Sequence, residues 1–479
     1  MTGLFEQAAN RRVHNVPTWE DTLAATEDAA LAEFFELLRI PSVSTDPAHG
    51  DDVRRTAQWV AARLTTAGVP EVEIVDGGGH PAVIGRWPVA PNLPTVLIYG
   101  HYDVQPEDPV ELWDSPAFEP EIRDGVVFGR GAADMKGNLL TAIHGVEASA
   151  QAHGGQPPVN VTFLFEGEEE IGSPSLTGIV RTHRDRLQAD AVFSADGGQY
   201  RDDAPSQTVA RKGLTGMQIT VTGANSDLHS GRYGAFAPNA ARSAAELAAS
   251  FHDVDGRVVV NGFYDRVIEL TPQEKAEATL TADDETVVAA DLDVPELWGE
   301  SGYTAQERAW ARPTLDINGI WGGFQGAGSK TVTPSKAHIK ITCRLVPNQD
   351  PDEIATLIQA HLEKHRPKGT TVEVSGIKGG AKPYLLDRHN PVYRAADTAL
   401  TRLFGVAPVV QRAGGTIPAT AIFLDELEIH TIGYAWSGPD SKSHAPNERY
   451  PVANFLRGRR GYAMLLDVLA EGSNYSESG

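Results

Sequence analysis

The stretch TVLIYGHYDVQP, residues 95–106, decides the fold, because an apolar, β-branched run at Thr95–Tyr99 passes directly into the polar cluster GHYDV. Two later segments repeat this order. The apolar run Val159–Phe165 is followed by EGEEEIGS, and the run Asp190–Ala195 is followed by an aspartate and two glycines. Short apolar runs that alternate with helical patterns predict an α/β fold with a mostly parallel sheet.

Helical periodicity surrounds these runs. It predicts helices over Asp21–Arg39, Asp51–Ala67, Met135–His153, Pro391–Phe404 and Asn454–Glu471, and a further strand over Glu428–Tyr434.

After about Ser206 the order of elements becomes β-α-β-β-α-β, the ferredoxin-like split motif. Its predicted elements are Leu214–Thr222, Pro238–Phe251, Asp316–Trp321, Ala337–Val346, Asp352–His365 and Thr371–Ser375. We therefore expect an inserted domain at 209–382 between two pieces of the first domain, 1–208 and 383–479. The acidic segment 271–310 inside the insertion is expected to be a solvated surface insertion.

The composition limits the class of partner. The chain has 479 residues, with 41 Lys and Arg against 64 Asp and Glu, a formal net charge of −23. That excess argues against nucleic acid and against an anionic membrane. Cys343 is the single cysteine, so no internal disulfide forms, and Met1–Asn15 lacks the apolar core of a signal peptide. These features predict a soluble, cytoplasmic protein.

The polar clusters carry the chemistry. In open α/β sheets ligands bind outside the carboxyl ends of the strands, so clusters that follow strands converge there. Histidines and carboxylates without cysteine suit Zn²⁺ or Mn²⁺ in a hydrolytic site. Two metals about 3.5–4 Å apart need a bridging carboxylate, and a neighbouring glutamate can take the proton of the attacking water.

Six motifs, GHYDVQP, RGAADMKG, EGEEEIGS, DLHSG, RLVPN and RAGGTIP, appear in that order along the chain. Together they resemble the co-catalytic metallopeptidases, a family that includes carnosinases, cytosolic non-specific dipeptidases, aminoacylases, glutamate carboxypeptidases and succinyl-diaminopimelate desuccinylases. The dipeptidase branch is the most similar. The resemblance implies a zinc-peptidase-like catalytic domain, an inserted ferredoxin-like lid and dimerisation domain, and a homodimer.

The resemblance also implies the role of each residue in a centre of two divalent cations, Zn²⁺ or alternatively Mn²⁺. His101 and Asp196 would hold one metal, Glu170 and His444 the other, Asp134 would bridge both, Asp103 would orient the His101 ring, and Glu169 would be the general base. A cis peptide bond is implied after Asp134. Counting back from Gly172 selects Glu169 and Glu170 for these roles rather than Glu168 and Glu169.

Substrate contacts are implied as well. His229 would reach the partner subunit's site and stabilise the oxyanion, and Arg344 would bind the substrate carboxylate. Thr331, Gly415 and Thr416 would also contact the substrate. Thr416 stands where the dipeptidase branch usually has serine, which makes that pocket one methyl group tighter.

The function implied is hydrolysis of dipeptides that have a free C-terminal carboxylate. The main rival function is that of an N-acyl-amino-acid amidohydrolase or a carboxypeptidase with the same metals. A non-catalytic module would be expected to lose Glu169 or several ligands, and this chain keeps them all. A two-metal phosphoesterase fits the net charge and Arg344 less well.

Overall fold

The computed structural model describes residues 17–376, 380–414 and 417–473. They form two compact units. The first holds the described residues up to Ser206, His389–Pro408 and those from Ile422 onward, and the second holds Gln207–Arg388 and Val409–Ala421. None of the described helices has both the length and the apolar composition needed to cross a membrane.

Helices and strands follow one another along the whole described chain. Up to Ser206 they are α1 (Trp19–Ala25), α2 (Glu27–Leu38), α3 (Gly50–Thr66), β1 (Glu71–Val75), β2 (Ala82–Trp87), β3 (Thr95–His101), β4 (Glu121–Arg123), β5 (Val126–Phe128), α4 (Gly137–Ala152), β6 (Asn160–Glu166), α5 (Leu176–Thr182), α6 (Arg184–Leu187) and β7 (Ala191–Ser194). The middle of the chain contains β8 (Ser206–Arg211), β9 (Gly213–Thr222), β10 (Leu228–His229), α7 (Ser230–Tyr233), α8 (Ala240–Ala249), α9 (Pro272–Leu280), α10 (Glu285–Asp291), α11 (Ala305–Ala311), β11 (Thr314–Gly322), β12 (Val332–Thr333), β13 (Lys336–Leu345), α12 (Pro351–His365), β14 (Thr371–Gly376) and β15 (Tyr384–Leu385). The last part contains α13 (Pro391–Phe404), β16 (Val409–Ala413), α14 (Pro418–Leu427), β17 (Thr431–Gly433), β18 (Arg449–Pro451) and α15 (Val452–Ser473).

A six-stranded sheet in the order β1-β2-β6-β3-β7-β17 forms the core of the first unit. The pairings of β6 with β3, β3 with β7 and β7 with β17 are parallel, whereas β1 with β2 and β2 with β6 are antiparallel. Every residue of β6 is buried, as expected for a central strand that is covered on both faces. The carboxyl ends of the four parallel strands therefore meet at one edge of the sheet.

Some element ends differ from the sequence prediction. The periodicity predicts one helix over Asp21–Arg39, but the structure has α1 and α2 with a break at Thr26, whose φ of −114° and ψ of 16° are not helical. Helix α4 begins at Gly137 rather than Met135, because Met135 also has non-helical backbone angles. Strand β3 runs on to His101, which pairs with Glu166 of β6.

A four-stranded antiparallel sheet in the order β11-β13-β9-β14 forms the second unit. Side chains of α8 and α12, such as Leu247 and Ile358, share one apolar core with Ile219 of β9 and Ile339 of β13. Buried and half-buried residues alternate along β9, as the period of a strand requires. The elements follow the β-α-β-β-α-β order of the ferredoxin-like motif.

Two parts of the second unit depart from expectation. The segment Val409–Ala421 belongs to this unit, whereas the sequence division assigns it to the third piece. The reason is that β16 joins a three-stranded sheet with β8 and β15. The acidic segment 271–310 is not only a solvated surface, since it forms α9, α10 and most of α11, and α9 and α11 share a small core that contains Ala278 and Trp310.

Candidate metal centre

The first unit gathers polar side chains at the carboxyl edge of its six-stranded sheet. His101 is the last residue of β3, Glu170 lies in the short turn Glu169–Ile171 after β6, and Asp196 follows β7. His444 lies in the loop after β17, and Asp134 lies in the turn before α4. This is the position at which the strand order of an α/β sheet places a ligand.

Two groups of possible metal ligands share one residue. His101, Asp134 and Asp196 form the first group, and Asp134, Glu170 and His444 form the second, with the ligand atoms of each group within 4.8 Å of one another. Asp134 Oδ1 lies 3.2 Å from His101 Nε2, while Asp134 Oδ2 lies 2.9 Å from His444 Nε2. The two oxygens of one carboxylate thus face the two groups separately.

Buried polar atoms at this site lack hydrogen-bond partners. Among the described residues, His101 Nε2 and Glu170 Oε1 are buried and have no hydrogen-bond partner. Leaving such an atom unsatisfied costs about 1–3 kcal/mol, and a cation at each group would satisfy both atoms. Imidazole nitrogens and carboxylate oxygens are donors that Zn²⁺ and Mn²⁺ accept. The residues present therefore fit two divalent cations.

The electrostatics of the cluster also favour positive charge. Burial by itself would raise the pKa of Asp134, but the adjoining imidazole rings of His101 and His444 bring it well below its usual range. Hydrogen bonds to Asp134 and Glu170 raise the pKa of His444 to about 10. Burial opposes protonation of His101, yet the nearby carboxylates of Asp103 and Asp134 raise its pKa well above the usual value. The nearby carboxylates thus favour a proton on each of the two imidazole rings, and a metal cation can take the place of that proton.

Glu169 lies beside the cluster and is held differently from Glu168. Burial raises the pKa of Glu169 to about 8. The negative charges of Asp196 and Glu170 add to this increase, and the positive charge of His101 opposes it. A carboxylate with a raised pKa can both accept and return a proton near neutral pH. The Glu168 carboxylate is turned elsewhere, since it accepts hydrogen bonds from the backbone N–H groups of His80 at 2.9 Å and Ser175 at 3.0 Å.

Asp103 supports both sides of the site. Its fully buried carboxylate accepts hydrogen bonds from Glu169 N at 3.3 Å and Glu170 N at 3.1 Å. His101 Nδ1 lies 3.4 Å from the Asp103 carboxylate and donates to the Asp103 carbonyl oxygen at 3.1 Å. Asp103 therefore orients the His101 ring and the turn that carries the two glutamates.

Sequence reasoning missed two supporting residues. Gln105 Nε2 donates to Glu170 Oε2 at 2.7 Å, and Glu448 accepts a hydrogen bond from Asp134 N at 2.9 Å. Gln105 stands inside the quoted GHYDVQP motif, and Glu448 ends the loop that contains His444, so their positions were the available signal. The peptide bond between Asp134 and Met135 is cis, as the resemblance implied.

The other predicted residues belong to the second unit. His229 is exposed, pairs with Val332 across β10 and β12, and accepts a hydrogen bond from Gly231 N on its Nδ1 at 3.1 Å. Thr331 is adjacent, since its carbonyl oxygen accepts from Ser230 N at 3.1 Å.

Arg344 is half-buried near the C-terminal end of β13, where it pairs with Thr314 of β11 and Leu214 of β9. Gly415 and Thr416 lie outside the described residues.

Comparisons with known proteins find related chains over most of the length of this one. Residues 97–467 match the family described as Peptidase family M20/M25/M40. The Cys-Gly metallodipeptidase DUG1 of Saccharomyces cerevisiae is 30% identical over 470 residues, 93% of this chain and 97% of that protein. The human Beta-Ala-His dipeptidase is 28% identical over 452 residues, 91% of this chain and 85% of that protein. The structure of the M20 family metallo-carboxypeptidase Sso-CP2 from Sulfolobus solfataricus has a TM-score of 0.79 at 29% identity, covering 92% of this chain and 99% of that one.

Proposed function

The chain belongs to peptidase family M20/M25/M40, and from that premise we propose that it is a metal-dependent dipeptidase. It hydrolyses the peptide bond of dipeptides that have a free C-terminal carboxylate. The observation that carries the proposal is the pair of ligand groups that share Asp134, with the half-buried Glu169 beside them. The related proteins named as a Cys-Gly metallodipeptidase and a Beta-Ala-His dipeptidase support the substrate class.

The cofactor is a pair of divalent cations, Zn²⁺ or alternatively Mn²⁺. His101, Asp134 and Asp196 would hold one cation, and Asp134, Glu170 and His444 would hold the other. When bound, such cations polarise the substrate carbonyl and lower the pKa of a bound water to about 7.

The chain's own residues move the protons and hold the substrate. Glu169 takes the proton of the attacking water and later returns it to the leaving amine. Asp103 keeps Glu169 and the His101 ring in position through its contacts with Glu169 N and with the ring. Arg344 binds the substrate carboxylate with its guanidinium group. His229 reaches into the site of the partner subunit and stabilises the oxyanion there.

The remaining substrate contacts follow from the family resemblance. Gly415 and Thr416 contact the substrate C-terminus, and Thr331 also contacts the substrate. A bound carboxylate at this position confines cleavage to the C-terminal peptide bond of the substrate.

The inserted domain, which the sequence divides off as 209–382 between 1–208 and 383–479 and to which the structure adds Val409–Ala421, acts as the lid and dimerisation domain of a homodimer. Strand β11 is an edge of the four-stranded sheet and exposes Ile320 and Trp321, which supports association of two copies. The buried, reduced Cys343 supports a cytoplasmic location.

A second candidate function is carboxypeptidase or N-acyl-amino-acid amidohydrolase activity at the same centre. The similarity to a protein named as a metallo-carboxypeptidase favours the first of these two activities. Both activities use the same metals and the same base, so the choice depends on the group on the amino side of the scissile bond.

The test is a substrate panel on metal-free enzyme reloaded with Zn²⁺ or Mn²⁺, with amine release as the readout. We expect hydrolysis of dipeptides, and at least tenfold slower hydrolysis of the matched tripeptides and N-acetyl-amino acids. A dipeptide with a C-terminal carboxamide is the matched control, and it should be a poor substrate. Faster cleavage of N-acetyl-amino acids supports the amidohydrolase, and no hydrolysis with either metal refutes the proposal.

A further inference from the structure

Glu448 is a fully buried carboxylate on which four hydrogen-bond donors converge. Its Oε2 accepts from Arg130 Nη1 at 2.7 Å and from Gly131 N at 2.9 Å. Its Oε1 accepts from Ala133 N at 2.8 Å and from Asp134 N at 2.9 Å. Three of these donors are backbone N–H groups of the turn that carries Asp134, so the carboxylate determines the path of that backbone.

The turn is built to wrap around this carboxylate. Gly131 has a φ of +82°, which places its N–H towards Glu448 and is a conformation that other residues rarely adopt. The Glu448 carbonyl oxygen also accepts a hydrogen bond from Gly129 N at 3.1 Å. Arg130 is itself buried, and its Nη2 also donates to the Pro106 carbonyl oxygen at 3.0 Å. Its positive charge balances the negative charge of Glu448.

Glu448 also belongs to the loop that carries His444. Glu448 thus joins the segment that carries Asp134 to the segment that carries His444. The side chains of Asp134 and His444 approach each other to 2.9 Å. Asp134 is the member shared by both ligand groups. A displacement of this backbone would therefore change both groups together, whereas a change in His444 would affect one.

We propose that Glu448 is the positioning residue of the dinuclear centre, holding Asp134 where its two oxygens face the two ligand groups. The inference rests on the proposed function. Two anionic oxygens are needed because four donors converge on them. A glutamine has one acceptor oxygen, and its NH₂ group would face two N–H donors, which is unfavourable in a buried site.

The experiment titrates metal-free protein with Co²⁺, whose visible absorption reports binding without any turnover. In Glu448→Gln both Co²⁺ equivalents should bind about 10–100-fold more weakly, the usual effect of losing a partner behind a metal ligand. Glu448→Asp keeps the charge and should bind more tightly than Glu448→Gln. His444→Ala should weaken one equivalent only. Excess Co²⁺ should restore part of the kcat that Glu448→Gln loses.

Glu147→Gln is the matched control, since Glu147 is the carboxylate partner of the buried Arg63 in the same unit and lies outside the site. It should lower the melting temperature and leave Co²⁺ affinity unchanged. Both Co²⁺ affinities within twofold of wild type in Glu448→Gln overturn the inference, and so does an equal loss in Glu147→Gln. If Glu448→Gln does not fold, wild-type Co²⁺ affinity in Glu448→Asp overturns it, and parallel weakening of both equivalents supports it. A wild-type protein that binds fewer than two Co²⁺ refutes the proposed function itself.

Discussion

Replacing Asp103 by asparagine tests whether one buried carboxylate organises the catalytic turn. The substitution keeps the size of the side chain and removes one anionic oxygen. In the structure Oδ1 accepts from Glu169 N at 3.3 Å and Oδ2 accepts from Glu170 N at 3.1 Å. An asparagine can accept only one of these two bonds and presents its NH₂ group to the other N–H.

The expected magnitude follows from this count. A hydrogen bond to a charged group contributes about 1.5–3 kcal/mol, and the variant loses one such bond next to the general base. Since about 1.4 kcal/mol corresponds to a tenfold change, kcat/KM should fall about 10- to 150-fold. The loss should appear mainly in kcat, because the substrate carboxylate is held elsewhere.

The assay compares kcat/KM on one dipeptide for wild type, Asp103→Asn and Asp350→Asn. Asp350 is a matched control, since its carboxylate also accepts from two backbone N–H groups, those of Asp352 at 2.9 Å and Glu353 at 3.1 Å, at the start of α12. Asp350→Asn should stay within twofold of wild type, because asparagine caps a helix as well as aspartate. A folded Asp103→Asn protein with kcat/KM within threefold of wild type would refute the reasoning.

Three further predictions test other parts of the structure. Glu169→Gln should keep its fold and its Co²⁺ affinity but lower kcat by roughly 10²–10⁴-fold, so near-wild-type turnover would exclude Glu169 as the base. Mixing inactive His229→Ala subunits with inactive Glu169→Gln subunits should restore part of the activity, and no recovery would show that His229 does not act across the dimer. Burial alone would raise the pKa of Glu33, but hydrogen bonds from His144 and Arg63 lower it from 4.5 to about 2. The stability that the ionised Glu33 contributes to the fold is therefore complete above about pH 4.5 and is lost as the pH falls towards 2. Glu33→Gln should therefore reduce the free energy of unfolding by about 1–2 kcal/mol at pH 7, a value lowered for partial exposure, and by less at pH 3; a difference equal at both pH values would contradict this.

The sequence alone determined the sheet and the polar residues at its edge. Thr95–Tyr99 and Val159–Phe165 are continuous apolar runs that end in polar clusters, and this pattern is local. Parallel strands place their carboxyl ends at one edge, so His101 and Glu170 had to approach each other once the runs were identified as strands. The structure does bring the seven predicted residues of the first unit together, and their roles remain those of the proposal.

Only the tertiary structure decided how these residues are held. Glu448 and Asp134 are 314 residues apart, and a hydrogen bond over that separation leaves no periodic pattern in the sequence. The direction of Glu168, turned towards His80 N and Ser175 N, likewise depends on which segments pack against its turn. Local patterns select strands and their polar ends because they reflect backbone periodicity and burial. The supporting hydrogen bonds come from long-range packing, which no short stretch of sequence encodes.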